Sequence, residues 1–175
     1  MSISLLLILL FLSIMTTLPV HAALEEIYIT PAVNPPAPGP YVGFKWNVTI
    51  WIKDYGNPDV FAWEVNLTYN PAADISVTGA WLAGPSGDYI FSGRVGVRPE
   101  PFITPSWVLV GDSLMGENGE TPPPMPARLA TIEFHIDKAP GKYETLTTPL
   151  SIDNEDTFVR DYNLRTRHPI KTGGT

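Results

Sequence analysis

Few side chains in this sequence are spaced for catalysis. Its three histidines, His21, His135 and His168, lie in unrelated contexts, so a zinc site or a Ser-His-Asp arrangement has little material. Cysteine is absent, which excludes thiol nucleophiles and cysteine-ligated metals. Carboxylates are more numerous, but their spacing singles out no pair suited to acid and base catalysis. We therefore expect a protein that is not an enzyme.

The densest run of oxygen donors is Asp153, Asn154, Glu155 and Asp156. Several hard oxygen ligands within one loop suit calcium. The run lacks the regular spacing and the glycine of an EF-hand loop, and a solvated acidic turn is the alternative interpretation. It is the candidate metal site of the chain, and no other cofactor is expected.

Two Asn-x-Thr triplets, beginning at Asn47 and Asn66, are candidate N-glycosylation sites. Each lies in a segment where apolar and polar residues alternate, and the alternation places both asparagines on the outward face. An ordinary polar position without a sugar is the alternative for each. If Asn66 carries a glycan, that sugar covers the face on which it lies.

One tryptophan, Trp51, falls among the outward positions of a regularly alternating strand. Aromatic side chains at a surface can stack on the apolar face of a sugar ring. Trp51 is therefore a candidate for direct polysaccharide binding. Burial under a loop or at a sheet edge is the alternative.

The segments that carry these residues are predicted to be β-strands. Residues 44–53, 61–70 and 128–137 alternate with a period of two, which is typical of strands with one buried face. In the third of these, Leu129, Thr131, Glu133 and His135 are expected to point outward. Weaker strands are predicted within 74–83, 88–97, 106–114 and 145–152. With about eight or nine strands and no sustained helical period, the sequence predicts an all-β, two-sheet antiparallel sandwich.

The N-terminus has the layout of a secretory signal peptide, with an apolar run followed by Pro19 and Ala22. We expect a signal peptide at 1–22, a single domain at 23–175, and a secreted or cell-surface product with no membrane insertion after cleavage. Retention of the segment as an anchor is the alternative. The formal net charge of −7 makes nucleic acid an unfavourable partner.

The order of segments resembles the cohesin-like family, particularly its archaeal surface versions. The resemblance rests on WEVNLTYNP (63–71), WVLVGDSL (107–114), LATIEF (129–134) and DNEDTFVRD (153–161), and it spans roughly residues 25–172. It implies a nine-stranded jelly roll related in architecture to carbohydrate-binding modules.

By this resemblance, the chain is a non-catalytic receptor for a dockerin-type module in extracellular polysaccharide-degrading or surface assemblies. By the same resemblance, the strands at 61–71, 88–97 and 106–114 belong to the partner-binding face of the family. Direct polysaccharide binding and a structural role in a cell-surface layer, with edge strands paired between subunits, are the alternatives. The implied partner-binding positions are Ala62, Glu64, Asn66 and Thr68.

Overall fold

The computed structural model describes residues 25–32, 41–53, 60–70, 74–82, 87–115, 125–138 and 147–174. These ranges hold twelve strands and no helix. No helix long and apolar enough to cross a membrane occurs among them. The predicted signal peptide and its boundary with the domain lie outside the described residues and stay predictions.

The first sheet has five strands, ordered β12-β1-β2-β8-β4. Its neighbours pair antiparallel, except for β1 and β12, which run parallel. The bounds are β1 Glu26–Thr30, β2 Lys45–Lys53, β4 Ile75–Leu82, β8 Ala127–Ile136 and β12 Ile170–Thr172.

The second sheet has seven strands, centred on the antiparallel pair β3 and β7. Strands β9 and β10 pair with β3, and β11 pairs with the other edge of β10. Strands β5 and β6 pair with β7. The bounds are β3 Ala62–Thr68, β5 Gly96–Val97, β6 Phe102–Ile103, β7 Trp107–Leu114, β9 Ser151–Ile152, β10 Phe158–Arg160 and β11 Thr166–Arg167.

The core lies between the two sheets and is built by the alternating residues. In β2, Val48, Ile50 and Ile52 are fully buried, while the residues between them are more exposed. Val65 and Leu67 of β3 and Phe134 of β8 are buried in the same cluster. The predicted all-β sandwich is confirmed, although several of the twelve strands are only two or three residues long.

Two local predictions are wrong. Residues 88–97 form turns, with one isolated bridge at Tyr89 and a short strand at Gly96–Val97. Three consecutive side chains from Tyr89 to Phe91 are buried there, which a strand with one buried face does not allow. Leu129 is also fully buried, because a β-bulge opposite Ile50 and Trp51 shifts the register of β8.

A buried carboxylate attaches the segment 87–98 to β7. Asp112 accepts hydrogen bonds from the Tyr89 hydroxyl and from Arg98 Nε at 3.1 Å, and its Oδ1 accepts one from the Ser113 backbone N–H at 2.8 Å. Burial raises the pKa of Asp112 despite these bonds, and burial together with the Asp112 carboxylate raises the pKa of Tyr89. Gly96 allows the backbone of β5 to lie close to the Asp112 carboxylate, since a Cβ at this position would lie 2.8 Å from Asp112 Oδ1.

Candidate docking face

The outward residues of β3 lie in the middle of the second sheet. Ala62 is in register with Arg160 of β10 and Ser113 of β7, and Glu64 with Phe158 and Gly111. A strand in this position places its outward side chains at the centre of a broad surface. We call the outer surface of this sheet the docking face, formed by Ala62, Glu64, Thr68, Val97, Phe102, Leu109, Gly111, Ser113, Phe158 and Arg160.

One half of the docking face is apolar. Phe102 is 59% exposed and its ring stacks on that of Trp107, with the centroids 5.2 Å apart. Phe102 is also in register with the half-buried Leu109, which lies between the buried Val108 and Val110 and so points outward. Val97 of β5 adds a further exposed apolar side chain. Side chains of this kind form the centre of many protein interfaces.

The other half of the docking face is charged. Glu64 is partly buried there, and burial, with a smaller contribution from the Asp156 carboxylate, raises the pKa of Glu64. Arg160 acts in the opposite direction, since its positive charge favours the ionised form of Glu64. The guanidinium of Arg160 lies over the ring of Phe158, 4.9 Å from the centroid.

Asn66 is on the predicted side of β3, but the expectation that its side chain is exposed is wrong. The residue is 7% exposed. Its Nδ2 donates to Asp156 Oδ2 at 3.1 Å, its backbone N–H to Thr157 Oγ1, and its backbone carbonyl accepts from the Asp153 N–H at 2.8 Å. The segment 153–157 therefore lies over Asn66 and occupies the nitrogen to which a glycan would be attached.

The same contacts argue against the candidate calcium site at 153–156. Asp153 Oδ1 accepts hydrogen bonds from the backbone N–H groups of Glu155 and Asp156, and Asp156 is bound to Asn66. The backbone carbonyl of Asn154 accepts from Lys171 Nζ. In the described part of the chain, no three His, Asp or Glu side chains are grouped to hold a metal. The carboxylates of Asp153 and Asp156 are thus already bound within the fold, and calcium binding at this turn stays a prediction.

The two remaining candidate residues lie on the opposite sheet. Asn47 is exposed on β2, in register with Glu133, and its glycosylation stays a prediction. Trp51 points outward from the same strand but is half-buried, and its Nε1 donates to Thr30 Oγ1 at 2.7 Å. The structure therefore places the two glycosylation triplets on different sheets and separates Trp51 from the docking face.

Sequence reasoning missed the residues that flank β3 and β7. Phe102 belongs to a strand of two residues, which is too short to show a period, and Arg160 to a strand of three. For β10, the sequence signal is only the order Phe158, Val159, Arg160, in which a buried valine separates two more exposed residues. Only the pairing of strands brings Phe102 beside Leu109 and Arg160 beside Ala62.

Comparisons with known proteins bear on the fold. No protein-family model matches the chain, and no curated protein matches its sequence. Among solved structures, the sixth cohesin of scaffoldin B from Acetivibrio cellulolyticus, in complex with a Cel5 dockerin mutant, gives a TM-score of 0.61 at 11% identity, covering 86% of this chain and 95% of that one.

Two further cohesins are similar. A type I cohesin-dockerin complex from Clostridium thermocellum gives a TM-score of 0.59 at 13% identity, covering 86% of this chain and 96% of that one. A cohesin module from a family 33 glycoside hydrolase of Clostridium perfringens gives 0.51 at 12%, covering 77% and 86%. These comparisons leave the archaeal surface subtype a prediction. The chain has the cohesin-like jelly-roll fold, as the resemblance implied.

Proposed function

We propose that this chain is a non-catalytic, extracellular docking module that binds a dockerin-type protein module through the docking face. The observation that carries the proposal is the group of apolar side chains at Val97, Phe102 and Leu109 beside the charged Glu64 and Arg160. It lies on a fold shared with cohesins that were solved in complex with dockerins. Grouped exposed apolar residues with a polar rim are typical of protein interaction sites.

The continuous pairing of the two central strands supports this function. Leu109 projects from β7, which pairs with β3 over seven residue pairs, from Ala62 with Ser113 to Thr68 with Trp107. A surface that is already ordered loses little conformational entropy on binding, so more of the contact energy appears as affinity. The burial of Asn66 adds to this support, because a covered amide is a poor acceptor for a glycan that would obstruct the face.

The experiment is a binding assay against a panel of calcium-loaded dockerin modules, measured by calorimetry. Leu109→Arg introduces a long charged side chain into the apolar half and should weaken binding by at least about 30-fold, the size expected for an interface hot spot. Tyr41→Ala is the matched control, because Tyr41 is 64% exposed and outside the docking face. Thermal melting of both variants checks that they are folded.

Two results would reject the proposal. One is the absence of binding to any dockerin in the panel, and the other is binding that Leu109→Arg leaves unchanged. Concentration-dependent self-assembly without dockerin binding would instead favour the structural role in a cell-surface layer.

A further inference from the structure

An exposed tryptophan lies flat on the outer face of the first sheet. Trp81 of β4 is 48% exposed. A Cβ built on Gly79 would lie 2.7 and 2.8 Å from Cζ2 and Cη2 of the Trp81 indole, so the ring covers the glycine backbone closely. Glycine is therefore required at position 79 for this posture of the ring. One face of the indole rests on the sheet and the other is open to solvent.

Polar groups held in fixed positions lie beside this ring. Gly79 is in register with Glu133 of β8. Glu133 Oε1 accepts hydrogen bonds from Lys45 Nζ at 2.7 Å and from Thr78 Oγ1 at 2.5 Å. These two bonds lower the pKa of Glu133, so the carboxylate is ionised at neutral pH. A flat aromatic ring with fixed hydrogen-bonding groups at its side is the combination that binds a sugar ring and its hydroxyls.

The charges on this face are balanced. Each Lys and Arg side chain of β2 and β8 is paired with a carboxylate, which leaves the face without a strong field of one sign. A partner recognised through charge would find little complementarity here. A neutral ligand fits this surface better. The pairs are Lys45 with Glu133 at 2.7 Å, Lys53 with Glu26 at 3.0 Å and Arg128 with Asp88 at 2.9 Å.

A second indole lies on the same face. Trp51 projects outward from β2, and β8 separates β2 from β4, which carries Trp81. Trp51 is in register with Arg128 and Trp81 with Thr131, so the two positions are two strand spacings apart across the sheet, roughly 10 Å, and are also offset along β8 by roughly 7–10 Å. The hydrogen bond from Trp51 Nε1 to Thr30 fixes the second ring in place. An extended chain of sugar rings can reach from one indole to the other.

We propose that the outer face of the first sheet binds a neutral, extended polysaccharide, with one pyranose ring stacked on Trp81, the next rings directed toward Trp51, and sugar hydroxyls hydrogen-bonded to Glu133. Because this surface is on the sheet opposite the docking face, polysaccharide binding does not depend on dockerin binding. One module can therefore hold a protein partner and a polysaccharide at the same time.

The test is affinity gel electrophoresis in hydroxyethylcellulose and in xylan, with cellohexaose titrations to obtain dissociation constants. Protein from a host without N-glycosylation avoids a sugar on Asn47, which lies on the same face. Trp81→Ala should weaken binding by about tenfold or more, and Trp81→Tyr should retain most of it. Gly79→Ala should also weaken binding, because the added Cβ displaces the ring. Tyr41→Ala is the matched control for loss of an exposed aromatic.

Melting temperatures of all four variants show whether a loss of binding reflects unfolding. Retardation by either polysaccharide that is lost in Trp81→Ala and kept in Tyr41→Ala supports the proposal. The absence of retardation in both polysaccharides overturns it, as does equal retardation of Trp81→Ala and the unchanged chain. Dockerin binding measured on the same variants should be unaffected, so the outcome is separate from that of the docking proposal.

Discussion

Removing the buried carboxylate of Asp112 should detach the segment 87–98 from β7. In Asp112→Ala, the Tyr89 hydroxyl loses its acceptor in a fully buried position, which costs about 1–3 kcal/mol. The bond from Arg98 adds little, because that side chain is 42% exposed. The Ser113 backbone N–H loses its side-chain acceptor as well, so we expect a total loss at the upper end of this range, about 3 kcal/mol.

Thermal and urea denaturation followed by circular dichroism measure this loss. For a domain of this size, about 3 kcal/mol corresponds to a fall in Tm of roughly 10 °C. A double-mutant cycle with Tyr89→Phe isolates the bond between the two side chains, and the coupling should be about 1.5–3 kcal/mol. A loss below about 1 kcal/mol in Asp112→Ala, or a coupling below about 0.5 kcal/mol, would show that the carboxylate does not hold the segment.

Three further outcomes are expected. Because folding raises the pKa of Glu64 above 4.5, the free energy of unfolding falls as the pH rises from about 4.5 through the folded pKa. In urea titrations, the free energy of unfolding of Glu64→Gln should be higher than that of the unchanged chain at pH 7 and equal to it near pH 4. A lower value for Glu64→Gln at pH 7 would contradict this. In a host that N-glycosylates the chain, peptide mapping should find more sugar on Asn47 than on Asn66, whose Nδ2 is bound to the segment 153–157; the reverse order would show that this segment does not protect it. Gly111→Val should lower the free energy of unfolding by roughly 1–3 kcal/mol, since a Cβ there would lie 2.9 Å from the Trp63 carbonyl oxygen; unchanged stability would mean that β3 and β7 can separate locally.

Much of the fold could be predicted because, in a strand with one buried face, apolar and polar residues alternate as buried and exposed side chains do. The strands at β2, β3 and β8 were recognised from side chains such as Val48, Val65 and Ile132, whose burial repeats every second residue. The prediction failed where the backbone departs from that period. Leu129 is buried through a bulge, and the turns at 89–91 bury three side chains in a row.

The candidate site was predicted only in part. Alternation placed Ala62, Glu64 and Thr68 among the partly exposed positions of β3, but the covering of Asn66 by Asp156 depends on a segment 90 residues away in the sequence. The exposed Trp81 was not assigned a face, because the bulge between Val77 and Gly79 interrupts the alternation of β4.

The sequence by itself determined the two-sheet sandwich and the central strands, because a period of two in apolar residues leaves a strand only one way to face a core. It also excluded chemistry that depends on cysteine, since the chain contains none. Tertiary structure alone decided which outward residues stay accessible. Strand pairing places Phe102 and Arg160 on either side of β3 and β7, and lays the segment 153–157 over Asn66. Exposure of a side chain depends on such distant segments, which local periodicity does not record.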